Sequence, residues 1–362
     1  MSKPGKSGAV KGRGAVGNQA GRFARDEREA IDDGWPGDDE DTEASAPATV
    51  VRPDPARRLI SRNQSPDIPF DASINPYRGC EHGCPFCFAR PSHSYLDLSP
   101  GLDFETRIFY KDNAAAILEA ELRKPGYRPT PISLGINTDA YQPVERRLRV
   151  TRDILEVLQA YRHPVSLITK SRLILRDLDI LEAMGAENLV SVAITLTTLD
   201  SGLKRILEPR TASPAARLDT IRQLSTARVP TAVMAAPVIP AITDHEMEAV
   251  LRAAAEHGAH GAGYVLLRLP WEVKQIFRDW LAAHFPDRAA HVMSLIQQSR
   301  GGRDYDAAWG QRLTGTGKFA ELIAQRFTLA CRKHGLNRGA RPALSTKHFR
   351  LPPRTGDQLS LL

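Results

Sequence analysis

Cys80, Cys84 and Cys87 fall within one short run, NPYRGCEHGCPFCFARPSH, at the spacing C-x3-C-x2-C. Thiolates this close in sequence can converge on one soft metal centre, because a turn through Gly83 and Pro85 faces three sulfurs inward without a long loop to close. Three ligands are one short of a closed tetrahedral zinc site or an ordinary four-cysteine iron–sulfur cluster, so one metal position is left open. A zinc knuckle completed by His82, His93 or a distant residue is the competing reading. A disulfide fits less well. Four cysteines in 362 residues, with no secretory signal at the start, suit a reducing compartment, and a cytoplasmic location is expected.

The scaffold that must position these thiols is globular by composition, with 25% charged and 42% hydrophobic residues. No apolar run approaches the roughly 20 residues of a membrane span, so no membrane partner is expected. The formal net charge of +7 biases the chain toward polyanions at long range without defining a site. Residues 1–25 carry Lys3, Lys6, Lys11, Arg13, Arg22 and Arg25 and no acid, whereas 26–43 close on Asp38, Asp39, Glu40, Asp41 and Glu43. Neither stretch offers enough apolar surface to offset the entropy of ordering, so 1–55 is expected to be a disordered arm whose basic half could touch a phosphate backbone. A short island, FARDEREAIDDGW, could dock Phe23, Ile31 or Trp35 on the folded body.

From about residue 70 to 270, short β-rich runs alternate with amphipathic windows, the sequence form of repeated βα units. ISLGI (132–136), VSLIT (165–169), LVSVAIT (189–195), TAVMAAPVI (231–239) and GYVLLRL (263–269) read as buried strands. Helical windows lie near 111–124, 147–161, 176–185, 214–228 and 244–257, with Asp177, Ser213 and Thr243 as expected starts. With a strand just before Cys80 this makes six units, not eight, so the expected class is α/β, a partial (β/α)6 TIM-like barrel over 56–270. Chemistry in such layouts sits at the carboxyl ends of the strands. Residues 271–351 read as a helical extension capping the barrel bottom or side, and 352–362 as a flexible tail.

The spacing of the cysteines, with Phe86 before the last, resembles the signature of the radical S-adenosylmethionine enzymes. Further phrases resemble the spore photoproduct lyase-related family among them: NTDAYQPVE (137–145), LITKS (167–171), SVAIT (191–195), EPRTASPAARL (208–218) and APVIPAITD (236–244). The resemblance implies a six-unit partial barrel and a [4Fe–4S] cluster held by Cys80, Cys84 and Cys87. It implies that S-adenosylmethionine binds the fourth iron and is cleaved reductively to a 5′-deoxyadenosyl radical that abstracts hydrogen from a substrate. An electron donor such as flavodoxin or ferredoxin is implied as a partner. Carried over residue by residue, it puts Thr138, Asp139, Lys170 and Ser191 around the cosubstrate. Lys170 ends a strand, so its ammonium can lean over the barrel mouth, and the others offer hydroxyl or carboxylate groups. Arg210, in Glu208-Pro209-Arg210, could hold the methionyl carboxylate or a substrate phosphate, steered by Glu208. Tyr141 and Gln142 could line the substrate cavity, and Arg90, His93 and Tyr95 could shield the cluster.

The resemblance departs at one place that matters for chemistry. Asn137 stands where the spore enzyme carries a cysteine that returns hydrogen to the product, and an amide cannot do so. Cys331, in FTLACRKHG, reads as a small buried hydrophobe. The expected function is therefore radical chemistry on DNA or a nucleotide, in DNA repair or nucleic-acid metabolism. Modification of a protein or RNA target and a zinc-stabilised nucleic-acid-binding module are the alternatives. The final residues Gln358–Leu362 resemble the peptides by which bacterial repair proteins dock on the replicative sliding clamp, which the resemblance implies as a further partner.

Overall fold

β-Branched runs of the kind seen above pair side by side when helices cover them, and the chain builds such a sheet. The computed structural model of the chain describes residues 10–24, 48–339 and 343–353. The strands in it are β1 (Val50–Pro53), β2 (Ile60–Arg62), β3 (Ala72–Ile74), β4 (Tyr77–Arg78), β5 (Arg107–Tyr110), β6 (Ile132–Leu134), β7 (Val165–Thr169), β8 (Val190–Thr195), β9 (Thr231–Val238) and β10 (Gly261–Leu266). Strands β3, β6, β7, β8, β9 and β10 lie side by side in that order, all parallel, with β2 antiparallel to β3 at one edge. These are the six expected βα strands. The sheet does not close among the described residues, so the architecture is a partial barrel. A second sheet, β1-β5-β4, was not foreseen.

Register assigns the two faces. Ile74, Leu134, Leu167 and Val192 form one row, buried under the helices. The neighbouring row Ser73, Ser133, Ser166 and Ser191 points to the opposite, concave face. Helix Val150–Ala160 shows the covering pattern, with Ile154, Leu155 and Leu158 buried along one stripe and Asp153 and Glu156 outside. Ser213 caps Pro214–Thr226 by accepting the Ala216 N–H, as its sequence predicts. Helical turns also begin directly after Asp177 and Thr243, as expected, though neither side chain caps. The Asp177 carboxylate accepts from Arg152 and Arg176, and the Thr243 hydroxyl accepts from the Ile239 N–H.

Two expectations about the ends need correction. Residues 10–24 are not a disordered arm, because Arg13, Ala15 and Val16 are buried and β1 pairs with β5. Composition misses this because the segment is held by backbone hydrogen bonds more than by apolar area. Helices Val273–His284 and Ala289–Gln298 do not cap the barrel bottom or side. Phe277, Trp280 and Met293 share an apolar cluster with Cys84, Phe86 and Leu267, so these helices cover the cysteine loop. Helix Gly317–His334 lies along β10, where Phe327 meets Tyr264, and buries Cys331 in the main core. Across the open side of the barrel, Arg312 reaches Asp67 of the β2–β3 connection at 2.6 Å. Residues 1–9, 25–47 (with Ile31 and Trp35), 340–342 and 354–362 (with Gln358–Leu362) lie outside the described residues. No helix among the described residues is long and apolar enough to cross a membrane.

Trp280 is fully buried, stacks on Phe277 and donates to the Ile206 carbonyl at 3.0 Å. Trp280→Ala should cost about 3–5 kcal/mol in denaturant unfolding, and Trp280→Phe, which keeps a stacked ring, markedly less.

Candidate active site

The cysteine loop leaves β4 through Gly79 and turns at Gly83, both with positive φ (78° and 70°). At Gly83 the need is also for space, since a Cβ there would lie 2.7 Å from a Glu105 carboxylate oxygen. Cys80 and Cys84 are buried and Cys87 is half-buried, and all three line one cavity of about 220 Å3. Burial pushes the thiols of Cys84 and Cys87 up, so a soft metal ligated there would displace their protons. A buried three-sulfur donor set beside an open cavity suits a metal centre with one position left for a small molecule.

The rest of the cavity is built from strand ends. Asn137 follows β6, Ile168 and Thr169 end β7 with Lys170 just beyond, Thr195 ends β8, Met234, Ala236 and Pro237 come from β9, Val265 comes from β10, and Leu267 and Arg268 follow it. Asp139 joins these parts. Its carboxylate accepts from the Tyr141 N–H (2.8 Å), the Thr169 hydroxyl (2.7 Å) and the Lys170 N–H (2.8 Å), and lies 3.3 Å from His82 Nδ1. Burial alone would keep His82 neutral, but Asp139 and the Cys80 sulfur outweigh it and raise its pKa to about 10.

Lys170 also lines the cavity, with its ammonium 5.7 Å from the Phe86 ring centroid and 3.1 Å from Glu208. Glu208 is fully buried and accepts from Arg217 (2.6 Å) and the Thr197 hydroxyl (2.8 Å). Burial alone would raise its pKa, but Arg217 and Lys170 prevail and hold it at about 2. The Lys170 side chain is thus held at the mouth by a carboxylate that Arg217 shares.

Of the five residues predicted around the cosubstrate, the structure brings Asp139 and Lys170 to the cavity and leaves three away from it. Thr138 donates its hydroxyl to the Tyr77 carbonyl at 2.8 Å. Ser191 lies on the concave face but four residues before Thr195, roughly 13 Å back along the strand. Arg210 pairs with Glu81 at 2.9 Å, so Glu208 does not steer it. Tyr141 is buried in the core and Gln142 holds the cysteine loop through Glu81 N–H and the Gly79 carbonyl, so neither lines the cavity. Arg90 and His93 are fully buried beside the loop, whereas Tyr95 is 69% exposed and shields nothing.

Sequence reasoning missed Thr169, Thr195, Arg217 and Arg268. The first two were legible as the last residues of predicted strands, where a hydroxyl reaches the mouth. Arg217 was not, since only the folded loop aims a helix-borne guanidinium at Glu208.

The chain matches the Radical SAM superfamily over residues 74–254, which spans the cysteine loop and the strands through β9. It belongs to the radical SAM superfamily. Among its relatives, an uncharacterized protein of Mycobacterium tuberculosis is 39% identical over 233 residues, covering 64% of this chain and 68% of that one. An uncharacterized protein of Methanocaldococcus jannaschii is 27% identical over 173 residues, covering 48% and 62%. A spore photoproduct lyase with bound AdoMet and dinucleoside spore photoproduct superposes with a TM-score of 0.57 at 14% identity, covering 80% of both chains. At that identity the likeness is one of fold. Membership of the radical SAM superfamily implies a [4Fe–4S] cluster and S-adenosylmethionine.

Glu208→Gln leaves Lys170 and Arg217 facing each other without a counter-charge, and should destabilise the fold by about 3–5 kcal/mol. Because the Glu208 pKa is lowered from 4.5 to about 2, its contribution is full above about pH 4.5 and is lost as pH falls toward 2. Thermal unfolding across that window should fall more steeply in the parent than in the variant.

Proposed function

We propose that Cys80, Cys84 and Cys87 hold the cluster and that the Asp139–Lys170 side of the cavity receives S-adenosylmethionine. The observation that carries this reading is that the three thiols, Asp139 and Lys170 line one cavity at the carboxyl ends of six parallel strands. When bound, the cluster and its cosubstrate supply one-electron chemistry and a radical that abstracts hydrogen. The chain's part is to hold, orient and keep dry. Asp139 fixes the backbone at Lys170, Glu208 fixes its ammonium as a charge for a carboxylate, and Phe86 and Phe88 wall off water. A single zinc ion is a poorer fit, since among the described residues no three His, Cys, Asp or Glu side chains meet around one ion.

We further propose that the substrate is a nucleic acid or nucleotide. Arg268 lines the cavity with its guanidinium 4.0 Å from the Phe88 ring centroid and makes no hydrogen bond or ion pair among the described residues. A half-buried cation without a protein acceptor suits a phosphate supplied by the substrate. The net charge of +7 and the fold shared with a lyase solved with dinucleoside spore photoproduct support the same substrate class. Asn137 lines the cavity where a hydrogen-returning cysteine would be needed, and Cys331 is buried in the core, so the reaction is proposed to end differently from direct reversal.

Alanine at any of Cys80, Cys84 or Cys87 should abolish iron and acid-labile sulfide binding after anaerobic reconstitution, while Cys331→Ala retains both. Visible absorption lost in the Cys331 variant but kept in a Cys84 variant would reverse the assignment. With dithionite and S-adenosylmethionine, the parent should release 5′-deoxyadenosine. If DNA is the substrate, Arg268→Ala should raise the DNA concentration needed for stimulation about ten- to hundredfold, with DNA-free turnover unchanged.

A further inference from the structure

The segment 10–24 packs against the cysteine loop and contributes no residue to the cavity lining. Gly14 and Ala15 donate their N–H groups to the two oxygens of Glu105 at 3.0 and 2.8 Å. Glu105 also pairs with Arg90, which donates to the carbonyls of Cys84 (2.8 Å) and Gly83 (3.2 Å) within the loop itself. Glu105 and Arg90 are fully buried. At Gly14 the two backbones touch, since a Cβ there would lie 1.6 Å from the Gly83 carbonyl oxygen and 3.1 Å from Pro85. Gly14 has no positive φ, so glycine is required there for room and not for conformation. Farther along, Gly17 accepts the Leu102 N–H, Gln19 reaches Asp279, and Arg22 stacks on Trp271 at 4.1 Å.

We infer that residues 13–17 are the outer wall of the cluster site, a strap keyed to Glu105 that fixes the cysteine loop and excludes solvent from its back. This rests on the reading that Cys80, Cys84 and Cys87 hold the cluster. The physical basis is that the loop's carbonyls have no regular secondary structure to satisfy them. Arg90 supplies the donors, Glu105 neutralises Arg90, and the strap satisfies the remaining lone pairs of Glu105. Removing the strap would leave a buried carboxylate short of donors and open the loop to water.

Two full-length variants test it, Gly14→Ala, which puts a methyl group into the Gly83 carbonyl, and Glu105→Gln, which keeps an amide oxygen for one strap N–H but loses the charge facing Arg90. In the cluster-free chain, alkylation rates at each cysteine are read by mass spectrometry, with Cys331 in the core as the internal control. Both variants should speed labelling of Cys84 and Cys87 about tenfold or more relative to Cys331, because local opening sets the exposed population. In the reconstituted chain, both should shorten the lifetime of the cluster's visible absorption in air, with an unchanged initial spectrum. Parent-like labelling and parent-like air decay in both variants would overturn the strap. If one variant does not fold, shown by fast labelling of Cys331 as well, the other decides. If the parent takes up no iron–sulfur cluster, the functional reading fails while the labelling comparison still decides the strap.

Discussion

A single carboxylate, that of Asp139, stands between the cysteine loop and the barrel. It receives the backbone of Tyr141 and Lys170 and the hydroxyl of Thr169, and faces the His82 ring of the loop. The groups it gathers come from three parts of the chain that must meet for the cavity to exist. Without it, the segment after β6, the end of β7 and the cysteine loop would share no common acceptor. A buried carboxylate is costly when unpaired and specifying when fully paired, and Asp139 is of the second kind.

The same device recurs around the cavity. Glu208 joins Lys170 to Arg217, Glu81 joins Arg210 to the Val144 N–H, and Glu105 joins Arg90 to Gly14 and Ala15. In each case an acid takes donors from segments distant in sequence, so the irregular loops at the mouth are fixed without a sheet. The apolar contribution is asymmetric. The barrel helices cover one face of the sheet, and a separate cluster, built around Trp280 and Phe277, covers Phe86 and Cys84.

The strands, their parallel order and the cysteine loop were legible because hydrophobic runs and ligand spacing are local signals. Lys170 was legible because it directly follows a predicted strand. Ser191 stands back from the cavity although its strand was legible, because the phrase SVAIT marks a strand and only depth along it tells which hydroxyl reaches the mouth. Thr138 and Arg210 turn to partners that the sequence does not show, the Tyr77 carbonyl and Glu81, which lie in the cysteine loop and its approach, far away in sequence. The packed segment around Gly14 was invisible to composition, which weighs apolar area and cannot register two N–H groups meeting one acid.

The walls of the cysteine loop are made at very different times. Synthesis delivers residues 13–17 before the loop and Glu105 shortly after it, whereas Leu267, Phe277, Trp280 and Met293 come much later. At about 5–20 residues per second, the interval is on the order of ten seconds or more. During it the chain carries its three cysteines before the residues that cover their apolar side have been made. On the proposed assignment, iron and sulfide would reach the thiols most easily before the helices Val273–His284 and Ala289–Gln298 settle over Phe86.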